Sequence, residues 1–159
     1  MKLLTLAIPI VLVAGASAQA ETLTSAQYVA AAGAGDMYEI QSSETVLQTT
    51  VDPKVKSFAR MMIQDHTKST ARIKAAALTA GIKARPMLTP AQTDMLAKLK
   101  AQTGTARDRA YIMQQKTAHE QALPTHQSYA AAGKNLALKA VATKVVPVVQ
   151  HHIEMLTTM

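Results

Sequence analysis

Cysteine is absent from the 159 residues, which excludes disulfides, thiolate chemistry, thiolate metal ligation and a lipid-modified cysteine behind an export signal. Tryptophan is missing too, and one phenylalanine and four tyrosines leave almost no aromatic surface on which bases could stack. The lysines and arginines behind the formal net charge of +7 are scattered (Lys54, Lys56, Lys68, Lys74, Lys98, Lys100, Lys139, Lys144) and form no basic block. They read as solvated helix faces and not as a nucleic-acid surface. Weak attraction to an anionic membrane or an acidic polymer is all that such a charge supports. Beyond the N-terminus no segment is long and uncharged enough to cross a bilayer, and no stretch carries a strand pattern.

The N-terminus itself is distinctive. Met1-Lys2-Leu3-Leu4 leads into the apolar stretch Thr5 to Ala14 and then the small residues Ala16-Ser17-Ala18-Gln19-Ala20. Charge, apolar core and A-x-A site are the pattern of a secretory signal peptide, expected over residues 1–20. The mature chain is expected to begin near Gln19 or Glu21 and to be soluble, periplasmic or secreted. Residues 21–159, about 140 residues, suffice for one core and one domain.

Helix signals fill that domain. The first helix is predicted from Ser25 to about Thr49, with Thr24 as N-cap and Gln27 as its capping-box partner. Asp52-Pro53 closes it and opens a second helix reaching about Ala80, where Gly81 supplies a left-handed cap. Thr89-Pro90 starts a short helix ending near Gln102. A third long helix covers about Ala106 to Ala132, stopped by Gly133, and Asn135 caps a fourth, Leu136 to about Leu156. Pro124 and Pro147 fall inside these last two and should kink them. Short turns make each pair of long helices antiparallel. The stretch from Gly81 to Thr105 is long enough for the single crossover of a ferritin-like four-helix bundle, with the extra short helix lying in it.

Placing residues 100° apart identifies the inward faces. Helix one turns in Tyr28, Val29, Ala32, Ile40, Val46 and Leu47, with Glu39 among them. His66 sits centrally on the face of Phe58, Ala59, Met62 and Ile73. Helix three buries Tyr111, Ile112, Ala118 and Tyr129 beside Asp108, Gln115, His119 and His126. Helix four turns Leu138, Val145, Val149 and Leu156 inward with His152, whereas His151 points away. Depth agrees with face. Glu39 and His66 are equidistant from the Asp52-Pro53 turn, and His119 and His152 are equidistant from the turn at Gly133 to Asn135, so all four share one layer near mid-helix.

An apolar core rejects such groups unless they compensate one another. Three histidines and a carboxylate from four helices suit a divalent transition metal, Zn, Cu, Fe or Ni. The metal ligands predicted are Glu39, His66, His119 and His152, with Asp65 and Gln115 behind them to orient the rings. Without an ion, the same layer is a hydrogen-bonded polar core that only sets helix register, in a non-catalytic structural or interaction protein. Met62 and Met155, one turn from His66 and His152, read as core filler, and His126, two turns beyond His119, as a polar core or rim residue.

The run Phe58-Ala59-Arg60-Met61-Met62-Ile63-Gln64-Asp65-His66, the segment Asp108 to His119 with Tyr111 and Gln115, and Pro147 to Ile153 with His152 resemble the exported bacterial family called domain of unknown function 4142, some of whose members carry an outer-membrane label. The resemblance covers essentially the whole mature chain. It implies a ferritin-like four-helix bundle and places recurrent positions on Glu39, Asp65, His66, Gln115, His119 and His152, but supplies no reaction. The outer-membrane label does not fit this chain, whose sequence shows no strand pattern for a barrel and no cysteine for a lipid anchor. The chain departs from di-iron members of the ferritin-like group, which carry Glu three residues before the ligand His: Ile63, Lys116 and Val149 stand there instead. A di-iron oxidase is therefore not expected; metal homeostasis or stress response is.

Overall fold

The computed structural model describes residues 23–159; the expected signal peptide lies outside them. Five helices follow in order: α1 Ser25–Leu47, α2 Pro53–Thr79, α3 Pro90–Lys100, α4 Gly104–Ala132 and α5 Leu136–Thr157. No strand occurs among the described residues.

Local chemistry sets the helix ends. Thr24 and Gln27 form a reciprocal capping box at the start of α1, and Thr89 and Gln92 do the same for α3. Asp52 Oδ1 accepts from the backbone N–H groups of Lys54 and Val55 at 2.7 and 3.3 Å, while Pro53 takes the first helical position, where its missing N–H costs nothing. Gly81, at φ +67°, supplies the left-handed residue that ends α2. Gly104 is the first residue of α4, two positions before the predicted start. Pro124 and Pro147 lie inside α4 and α5 as expected.

The four long helices contact one another as a closed ring: α1 on α2, α2 on α5, α5 on α4 and α4 on α1. Side-chain contacts give their directions. Tyr129, late in α4, donates to Ser25 Oγ at the start of α1, and Arg107, early in α4, donates to the Thr45 carbonyl near the end of α1, so these two are antiparallel. Phe58, early in α2, meets the ring of His152, late in α5. Helices α2 and α4 consequently run the same way, and the segment 80–103 joins the end of one to the start of the other along the length of the molecule. Within it α3 lies against α1 and α4, fastened where Gln114 accepts from the Tyr38 hydroxyl and donates to the Met95 carbonyl, each at 3.0 Å.

Two apolar clusters fill the interior. One gathers Tyr28, Val29, Ile73, Tyr129 and Leu138; the other gathers Val46, Phe58, Met62, Leu99, Tyr111 and Leu156. Between them, at mid-height of all four long helices, lies a buried polar layer of Asp36, Glu39, His66, Gln115, His119 and His152.

Candidate metal centre

Each of the four long helices contributes to the layer from its own inward stripe. On α1, Asp36 and Glu39 follow Ala32 at intervals of four and three, so a small residue and two carboxylates share one face. His66, His119 and His152 come from α2, α4 and α5. His119 and His152 are fully buried, and His66 and Glu39 nearly so.

The outer nitrogen of every ring faces an acceptor. His66 Nδ1 lies 2.8 Å from Asp36 Oδ1 and 2.9 Å from Glu39 Oε2. His119 Nδ1 lies 2.9 Å from the Gln115 carbonyl oxygen and 3.2 Å from Glu39 Oε1. His152 Nε2 lies 3.4 Å from Asp65 Oδ2. Ionised carboxylates and carbonyls only accept, so in neutral imidazoles each of these nitrogens carries the proton. The inner nitrogens then present lone pairs. His119 Nε2 and His152 Nδ1 are 3.1 Å apart, and His66 Nε2 is buried with no partner. The three histidines each offer one nitrogen within 4.8 Å of the others.

Electrostatics sharpen this arrangement. Burial alone would lift the Glu39 carboxyl, but the charges of His66 and His119 and the hydrogen bond from His66 override it and hold the group at about 2. Burial would likewise lower His66, yet the Glu39 charge and the hydrogen bonds to Asp36 and Glu39 drive it up to about 10. Asp36 moves the other way from Glu39, above its ordinary value, chiefly through burial and further through the Glu39 charge, against the opposing bond from His66. The two directions are consistent: two carboxylates share one imidazolium, and the less favoured one carries the cost. His152 is pushed down to about 4, first by burial and then by the charges of His66 and His119.

Glu39, His66, His119 and His152, predicted as one layer, do meet. Glu39 uses both carboxylate oxygens on ring nitrogens, so in this geometry it steadies two histidines from behind. A second candidate set, Asp36, Glu39 and His66, shares that imidazole. Asp36 escaped the sequence reading, although its spacing from Ala32 and Glu39 could have revealed it. Asp65 reaches His152 on the neighbouring helix and not its sequence neighbour His66. Gln115 holds His119 through its backbone carbonyl, while its amide donates to Ser42 Oγ at 2.9 Å. His126 lies apart, 3.0 Å from the Tyr28 hydroxyl, and Met62 belongs to the lower apolar cluster. Also unforeseen is Arg107, buried and donating to the carbonyls of Gln102, Thr45 and Lys100.

A cavity of about 270 Å³ between α1, α3 and α4 opens onto Asp36, Glu39 and His66, walled by Ala34, Gly35 and Ala118 among others. Small side chains leave this space beside the carboxylates.

Fold and layer define a class: all-helical proteins with a buried histidine and carboxylate cluster set between two apolar cores. The chain belongs to the family described as Domain of unknown function (DUF4142), whose model matches residues 12–159. Among curated proteins and solved structures, none matches it. No described helix is long and apolar enough to cross a membrane.

Proposed function

We propose that this chain is an exported, ferritin-like four-helix-bundle protein that binds one divalent transition metal through His66, His119 and His152, serving metal homeostasis or stress response. The supporting observation is the unpartnered, buried His66 Nε2 in a trio of histidines that each offer one nitrogen within 4.8 Å of the others. Glu39, first expected as a ligand, is assigned with Asp36 and Asp65 to orienting the rings and raising their basicity, and the Gln115 carbonyl does the same for His119. The N···N spacing of 3.1 Å is near that of two nitrogens sharing an ion at about 2.0–2.1 Å each. Neutral imidazoles suit Zn, Cu, Fe or Ni. The metal would supply charge compensation that the layer otherwise draws from protons.

The test is metal content and melting temperature of protein purified without a histidine tag. Stripped protein should gain stability with at least one of Zn(II), Cu(II), Ni(II) or Fe(II), since an ion bound only by the folded state stabilises it. The variant with His66, His119 and His152 all replaced by alanine should gain nothing. An equal gain in both, or none in either, would leave the layer as a hydrogen-bonded network that fixes helix register.

A further inference from the structure

A second opening lies on the opposite side of α1 from the carboxylate cavity. It is a groove of about 580 Å³ formed by α1, α2 and the first part of the crossover, a size within the roughly 300–1,000 Å³ of small-molecule sites. Its floor is apolar, with Val29, Ile73 and Ala77 among the lining residues, and these belong to the upper core cluster. One wall is the crossover itself, held close by a specific device. A Cβ on Gly33 would come within 2.4 Å of Pro86 Cγ, so only glycine lets Pro86 seat there and leave the groove at its present width.

Its chemistry is lopsided. Two cations, Lys74 and Arg85, line it and no acidic residue does. Among the described residues neither has a carboxylate partner; Lys68 with Asp65 is the only lysine or arginine ion pair. Leu78, also in the lining, is 82% exposed. Neutral ligands would leave both cations unused, and a cationic one would be repelled.

We propose that this groove binds a single-chain anionic amphiphile of the fatty-carboxylate class, its chain along Val29, Ile73 and Ala77 and its headgroup at the rim where Lys74 and Arg85 stand. The site is separate from the histidine layer and does not depend on a metal there.

The experiment is calorimetric titration of the folded full chain with octanoate, decanoate and dodecanoate below their micellar concentrations, with dodecyltrimethylammonium as the chain-matched cation. Affinity should rise with length by up to roughly fourfold per buried methylene, and dodecanoate should bind at least tenfold more tightly than the cation. The Lys74→Glu/Arg85→Glu variant, changed only at exposed positions, should remove that preference, and Ala77→Phe should reduce binding of all chain lengths. Circular dichroism checks that each variant is folded; the charge variant decides the matter should Ala77→Phe not fold. Equal binding of anion and cation, retention of the preference in the charge variant, or absence of dodecanoate binding, whether or not sedimentation shows a dimer, would each overturn the proposal.

Discussion

His119 Nε2 lies 3.1 Å from His152 Nδ1 across the seam between α4 and α5, while the outer nitrogens of both rings face oxygens that only accept. Were both imidazoles neutral, they would point lone pairs at each other. The pair is complete only with an electrophile between its members, and the two candidates, a proton and a metal ion, differ in one respect. A proton is satisfied by two nitrogens, whereas an ion draws in a third, and His66 Nε2 is the free one nearby.

Neighbouring histidines on α5 should behave oppositely. His152→Ala should abolish metal-dependent stabilisation and cost roughly 2–4 kcal/mol of apo stability through the cavity and the unpaired His119. His151→Ala, at an exposed position, should change stability by less than about 0.5 kcal/mol. Chemical denaturation of both variants with and without metal checks this; equal effects would mean the ligand assignment on α5 is wrong.

Metal affinity should be governed by the proton on His66. Glu39 and Asp36 push that ring up to about 10, so over the neutral range an ion would have to displace one proton to reach it. Apparent affinity should therefore rise about tenfold per pH unit between pH 6 and 9, with about one proton released per ion at pH 7. His152, at about 4, adds no competition there. Titration in two buffers of different ionisation enthalpy measures the release, and a pH-independent affinity would contradict it.

Stability of the metal-free protein should peak near neutrality, with different residues on the two limbs. His126 is held down to about 4, chiefly by burial, as His152 is. Between roughly pH 6.5 and 4 the unfolded chain takes up those protons and the folded one does not, so stability falls with falling pH. His66 is raised, so its contribution is complete below about pH 6.5 and is lost as pH climbs toward 10. Urea unfolding from pH 4.5 to 9 should show both limbs, and His126→Asn should flatten only the acid one. An acid limb of unchanged slope in that variant would refute the assignment.

The Asp52 cap offers a test far from the layer. Its Oδ1 serves two backbone donors at the head of α2, and Asp52→Ala should cost about 1 kcal/mol. Thermal melting should fall by about 4 °C, with metal affinity unchanged.

Much of the helix layout was legible because caps and breakers act locally: Thr24 with Gln27, Asp52-Pro53 and Asn135 announce ends whatever the tertiary structure does. Layer membership was legible because helical phase and distance from a turn are geometric. Where hydrophobicity stood in for burial, the reading slipped. Ile40 and Leu47 are only partly buried, while Ser42, Ser43 and Thr45 are buried, the first two bonded to Gln115 and Tyr111. Asp36 was missed for the same reason. Partner choice was not legible at all: Asp65 adjoins His66 in sequence, yet successive residues diverge by 100° on a helix, and its carboxylate turns to α5.

The crossover carries none of the layer. Asp36, Glu39 and His66 come from the hairpin of α1 and α2, His119 and His152 from that of α4 and α5, so the layer is assembled from two hairpins that meet along a common face. Neither hairpin can close the ring of nitrogens alone, and an ion bound there would act as a rivet between them, resisting their separation. A nick between Lys83 and Met87 would convert the pair into a true heterodimer. Its survival would then depend on dilution, and far less so once riveted.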